Sequence, residues 1–110
     1  MEEKVLCASS AYDQKYFLDE DFNRLPESVK DELKIMCVLF TEDVGGILIV
    51  KFDETGNLIL ETVADEGDLL YDEIGAALKI KKLRKEHSET FEALEMFYKV
   101  FFLNEEPEME

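Results

Sequence analysis

Tryptophan is missing from this 110-residue chain, and histidine occurs once, at His87. A single histidine excludes metal sites built on two or more imidazoles and any multi-histidine proton relay. No Cys-x-x-Cys, Gly-x-Ser-x-Gly or His-Glu-x-x-His motif is present, so the matching zinc, hydrolase and metalloprotease chemistries lack their residues. Cations are scarce, with 12 Lys and Arg against 27 Asp and Glu, a net charge of −15. Phosphate backbones and anionic bilayers need a cationic face, which excludes binding of nucleic acid or membrane over a broad surface. Long apolar runs are also missing. The longest, residues 35–40, has six residues, far short of the ~20 that span a bilayer. The acidic start Met-Glu-Glu-Lys is no secretory leader. Cys7 and Cys37 each lie inside an apolar run, as buried free thiols do, so a cytoplasmic protein with reduced cysteines is expected.

Apolar residues are plentiful, at 46%, and 11% of the chain is aromatic. That is enough for a packed core and unlike a disordered acidic segment. No repeat or Gly/Ser-rich linker divides the chain. Residues 1–103 read as one domain. Residues 104–110, Asn-Glu-Glu-Pro-Glu-Met-Glu, read as a frayed acidic tail.

The clearest local signal is a hairpin. Ile47-Leu-Ile-Val-Lys-Phe52 and Leu58-Ile-Leu-Glu-Thr-Val63 flank Asp53-Glu-Thr-Gly-Asn57. A Glu54-Thr55-Gly56 loop suits a type I turn with Gly56 in the left-handed region. Pairing Asp53 with Asn57 then sets Phe52 opposite Leu58, Val50 opposite Leu60 and Leu48 opposite Thr62. The other face carries Lys51 and Glu61 beside Ile47, Ile49, Ile59 and Val63, too apolar to lie wholly in water. A covering layer is expected there, from this chain or a second one.

Pro26-Glu-Ser-Val opens a helix whose Val29, Leu33, Met36/Cys37 and Phe40 keep 3–4 spacing, with Gly45-Gly46 as its stop. Downstream, Asp65 reads as an N-cap for a short helix over about 68–78, with Leu70, Ile74 and Ala77/Leu78 on one stripe. A break near Lys79 and a long helix over about 81–103, carrying His87, Phe91, Leu94, Phe97/Tyr98 and Phe101, follow. Residues 5–8 and 15–18 resemble two short strands. The resulting order, ββ-α-ββ-αα, predicts an α+β fold: an antiparallel sheet of about four strands with helices packed on it.

The stretches Leu6-Cys7-Ala8, Tyr12-Asp-Gln-Lys-Tyr-Phe17, Leu25-Pro-Glu-Ser-Val-Lys30, Val38-Leu-Phe-Thr-Glu-Asp-Val-Gly-Gly46 and Tyr71-Asp-Glu-Ile-Gly75 resemble a small uncharacterised family of acidic cytosolic proteins from clostridial Firmicutes, catalogued as a domain of unknown function. The resemblance implies one bacterial cytosolic domain and supplies no catalytic or binding residues.

Catalytic templates fail one by one. His87 shares its stripe with Leu83, Phe91 and Leu94, the position of a core-edge histidine, and no spacing pairs it with Cys7 or Cys37. The acids of residues 65–73 do not match a calcium loop: with Asp65 at position 1, Gly67, Leu69 and Ala76 fall at ligand positions 3, 5 and 12. No cofactor is expected. Five of the twelve cations, Lys79, Lys81, Lys82, Arg84 and Lys85, fall within seven positions, a solvated helix start, a contact for an acidic surface or, against the surrounding negative field, a local site for nucleic acid or phosphate. A non-catalytic protein-binding or dimerisation module is the reading these features favour. Its partner is a second copy or another protein, and its contacts are drawn from Lys81, Lys82, Lys85, Tyr98, Phe102, Ile49 and Ile59. The alternatives are a small enzyme with a Cys or carboxylate site and an acidic mimic of nucleic acid.

Overall fold

In the computed structural model, which describes residues 3–104, Phe52 faces Leu58, Val50 faces Leu60 and Leu48 faces Thr62. The turn that sets this register is closed by the Gly56 N–H on the Asp53 carbonyl at 3.0 Å. Gly56 has φ +91°, a conformation that a side chain makes costly. The Asp53 carboxylate accepts from the Asn57 and Thr55 backbone N–H groups, both at 2.9 Å. The residues of the turn itself supply these bonds.

The full order is β1 (Lys4–Ser10), β2 (Lys15–Leu18), α1 (Glu27–Val44), β3 (Ile47–Phe52), β4 (Leu58–Val63), α2 (Glu73–Glu86) and α3 (Ser88–Phe101), with a 3-10 turn at Glu20–Phe22. Four antiparallel strands form one sheet in the order β2-β1-β3-β4. The fold is α+β, as the pattern of elements predicts. β1 bulges between Val5 and Cys7, which brings both Leu6 and Cys7 into the interior.

Helix α1 buries Leu33, Met36, Cys37, Phe40, Thr41 and Val44. Gly45, at φ +83°, ends it, its N–H on the Thr41 carbonyl. The sheet answers with Cys7, Leu48, Val50, Phe52 and Leu58, and α3 adds Phe91, Leu94 and Tyr98. At one end of the core four rings close a cycle. Phe52 stacks on Tyr98 at 4.3 Å, Tyr98 on Phe102 at 4.9 Å, Phe102 on Phe22 at 4.9 Å and Phe22 on Phe52 at 5.9 Å. Offset stacking of this kind adds to the burial of the rings themselves.

The C-terminal helices depart from the sequence reading. The first begins at Glu73, not near 68, because Asp72 caps it with a 2.8 Å bond to the Gly75 N–H. A side chain at Gly75 would strike the Asp72 carboxylate, so the glycine makes room for the cap. Asp65 is not a helix cap. The segment before Asp72 is a loop, pinned where the Tyr12 hydroxyl donates to Asp68 and accepts from the Asp65 N–H. The buried stripe of α2 is Ala76, Ile80 and Leu83. Leu70 and Ile74, assigned inward from their spacing, are 92% and 77% exposed. The break falls at His87, which ends α2 and begins α3, not near Lys79. Of the expected tail, residues 105–110 lie outside the described residues.

Candidate functional site: the outer face of the sheet

Directly paired residues in an antiparallel sheet share a face, so the register assigns every side chain. The inner rows are Leu18–Cys7–Val50–Leu60 and Tyr16–Ser9–Leu48–Thr62, with Phe52–Leu58 beyond them. The outer rows are Phe17–Ala8–Ile49–Glu61, Lys15–Ser10–Ile47–Val63 and Val5–Lys51–Ile59. None of the outer residues belongs to the core or packs against it. Phe17 is 53% exposed and Val63 40%, while Ile47, Ile49 and Ile59 are half-buried. The covering layer expected over this face is not supplied by the described residues.

Charge on the outer face is balanced. Lys51 stands in the row nearest the β3–β4 turn, 2.8 Å from Glu3 and 2.6 Å from Glu61. Hydrogen bonds to Glu3 first, and to Glu61 second, raise its ammonium above the ordinary lysine pKa. Lys15 flanks the apolar rows at the β2 edge. The face thus sets Lys15 and Lys51 against Glu3 and Glu61, in a chain whose overall charge is −15.

The remaining residues assigned to partner contact are dispersed. Ile49 and Ile59 lie on the outer face. Tyr98 and Phe102 do not, since both rings are drawn into the aromatic cycle: Tyr98 is 6% exposed and Phe102 packs against the core. The helical period of α3 shows that these rings share a surface, but Phe52, which stacks on Tyr98, and Phe22, which stacks on Phe102, lie far earlier in the chain. Among α3's last residues Phe101 is left 54% exposed, under the Arg24 guanidinium at 5.0 Å. In the cationic stretch, Lys79 pairs with Asp43 of α1 and Lys82 with Glu86 at 4.0 Å. Arg84 donates to the Leu58 carbonyl at 3.2 Å. Lys81 and Lys85 make no ion pair among the described residues. His87 sits at the α2–α3 elbow, its Nδ1–H donating to Glu32 at 2.6 Å, and Thr90 donates to the same carboxylate at 3.0 Å.

One cluster escapes sequence reasoning. Cys7 and Cys37, thirty residues apart, are both fully buried with their sulfurs 3.9 Å apart. Next to them Ser9 and Thr41, also buried, share a 2.8 Å hydroxyl bond. The Tyr16 hydroxyl is buried with no hydrogen-bond partner. Residues i and i+2 of a strand thus meet residues i and i+4 of a helix, forming a polar seam between β1 and α1. The only sequence signal for it was two cysteines in apolar runs. The seam borders a groove of about 910 Å³ between the β1–β2 hairpin and α1, lined by Ser9, Gln14, Tyr16, Lys34 and Thr41 among others. No group of three or more His, Cys, Asp or Glu side chains among the described residues is placed to hold a metal ion. No described helix is long and apolar enough to cross a membrane.

Fold and surface together define a two-layer α+β domain: three helices on one face of a four-stranded sheet, and an apolar face opposite. The chain belongs to a family of unknown function, DUF6145, whose model matches residues 3–106. No curated protein and no solved structure matches it.

Proposed function

We propose that the protein is a non-catalytic interaction module of the bacterial cytoplasm that pairs with a second copy of itself through the outer face of its sheet. The observation that carries this reading is three register rows of largely apolar side chains, from Phe17 across Ile49 to Val63, with no described layer over them. Balanced charge selects the occupant. A copy brings the same neutral patch, so the acidic remainder of each chain is held away from the contact. A two-fold axis parallel to the strands sets β2 of one copy over β4 of the other. Each register row then meets its own copy, with Ala8 over Ile49 at the middle of the contact, Phe17 over Glu61 and Lys15 over Val63 at its edges.

Light scattering at physiological salt tests the proposal. The expected mass is twice the 12.8 kDa of the chain, and Ile49→Glu returns it to that of one chain. Raising the salt strengthens the pairing, because screening weakens repulsion between two acidic chains and leaves apolar contact intact. A single-chain mass for the native protein at high micromolar concentration overturns the reading.

A further inference from the structure

We propose that Cys7 and Cys37 form a reversible oxidation site, a buried dithiol that hydrogen peroxide converts to a disulfide joining β1 to α1. The geometry is already close. The sulfurs touch at 3.9 Å, and a disulfide needs about 2.05 Å. The remaining approach is within the sweep of one Sγ turning about its Cα–Cβ bond.

A groove comes to within one layer of side chains of the sulfurs. Ser9, Thr41 and Tyr16 line the groove beside the hairpin and also border the thiols: Ser9 lies two residues from Cys7 on the same face. The Thr41 hydroxyl reaches the Cys37 carbonyl at 3.3 Å. A small, polar, hydrogen-bonding oxidant in the groove therefore meets hydroxyls, not hydrocarbon, on its way in. The Tyr16 hydroxyl next to Cys7 explains which sulfur reacts. Burial first, and the adjacent cysteines second, hold that hydroxyl above its ordinary pKa, so it stays a donor, and among the described residues no acceptor other than the Cys7 sulfur is close to it. A Cys7 thiolate supplies one. Cys37 is held as the thiol by its contact with Cys7 and by burial.

The reaction balances without further reagents. Cys7 gives up its proton to water in the groove. Its sulfur attacks one peroxide oxygen, the O–O bond breaks, and the departing hydroxide is protonated to water, leaving a sulfenic acid. The Cys37 sulfur attacks the sulfenic sulfur, the S–O bond breaks, and the hydroxide released takes the Cys37 proton to become a second water. Two thiols lose two electrons, and peroxide gains them. The product closes a loop of thirty residues and staples the hairpin to the helix.

The test is intact mass after peroxide treatment of the reduced, folded full chain, followed by denaturation and alkylation. The expected product is an unalkylated monomer lighter by two hydrogens, restored by dithiothreitol, with a melting temperature several degrees above that of the reduced protein. Cys37→Ala stops at the sulfenic acid, which dimedone traps, and Tyr16→Phe slows oxidation severalfold at an unchanged melting temperature. Peptide mapping of a Cys7–Cys37 link in the native sequence decides the matter if Cys37→Ala does not fold. Two alkylatable cysteines after peroxide, or disulfides only between chains, overturn the proposal.

Discussion

On its inner face the sheet presents Leu48, Val50, Phe52 and Leu58, none more than 3% exposed. On its outer face it presents Ile47, Ile49, Ile59 and Val63, none of which enters the core. The two sets alternate along the same two strands and are both wholly apolar, so hydrophobicity does not distinguish them. The crossovers do. Helix α1 leaves β2 and returns to β3 on one side, and α3 settles on that side over β4. Alternation says which residues share a face, and chain connectivity says which face is covered.

The largest effect belongs to the inner face. Phe52→Ala removes a fully buried ring from the aromatic cycle and is expected to lower stability by about 3–5 kcal/mol, read from the urea midpoint at constant m-value. A loss below about 1 kcal/mol breaks the distinction between the faces. Gly56→Val acts on the turn that sets both faces at once. A β-branched residue at φ +91° is expected to cost on the order of 1 kcal/mol or more.

The Asp53 carboxylate in the same turn gives a pH signature. Hydrogen bonds from the Asn57 backbone N–H first, and the Thr55 hydroxyl second, hold it below its ordinary pKa. Its contribution to stability is thus complete above about pH 4 and fades as acid takes the pH down through the lowered value. Asp53→Asn should melt lower than the native protein at pH 6, and the gap should narrow toward pH 3. A gap that is constant with pH removes the carboxylate from the account of the turn.

The smallest stability effect is expected on the outer face. Ile49→Glu should change the stability of the monomer by no more than about 0.5 kcal/mol while abolishing association. An inner-face-sized loss at Ile49 means that something covers that face within one chain.

The hairpin register and α1 were legible because their signals are local and mutually consistent. Gly56 fits one turn geometry, and Gly45 ends a helix whose apolar spacing runs unbroken from Val29 to Val44. Placement of α2 was not legible, since Asp65, Asp68 and Asp72 all offer a capping carboxylate. The choice among them was made by Tyr12, from a distant turn, which occupies Asp68 and the Asp65 N–H. The fate of Tyr98 and Phe102 likewise depended on Phe52 and Phe22. Ile49 and Ile59 were legible as sharing one face because two paired strands are enough to put them there. The Cys7–Cys37 contact had no local signal, since it arises only when β1 and α1 dock.

The strand order has a consequence in time. The two central strands, β1 and β3, come from separate hairpins, and their pairing of Ser10 with Ile47 through Lys4 with Phe52 spans the whole of α1. As the chain is synthesised, β1 has only the four-residue β2 for company until Phe52 has been added. At roughly 5–20 residues per second that interval lasts about 2–8 s. Closing the sheet is therefore a late, non-local event, and until it happens Cys7 and Ala8 stand without Val50 and Ile49, their partners on β3.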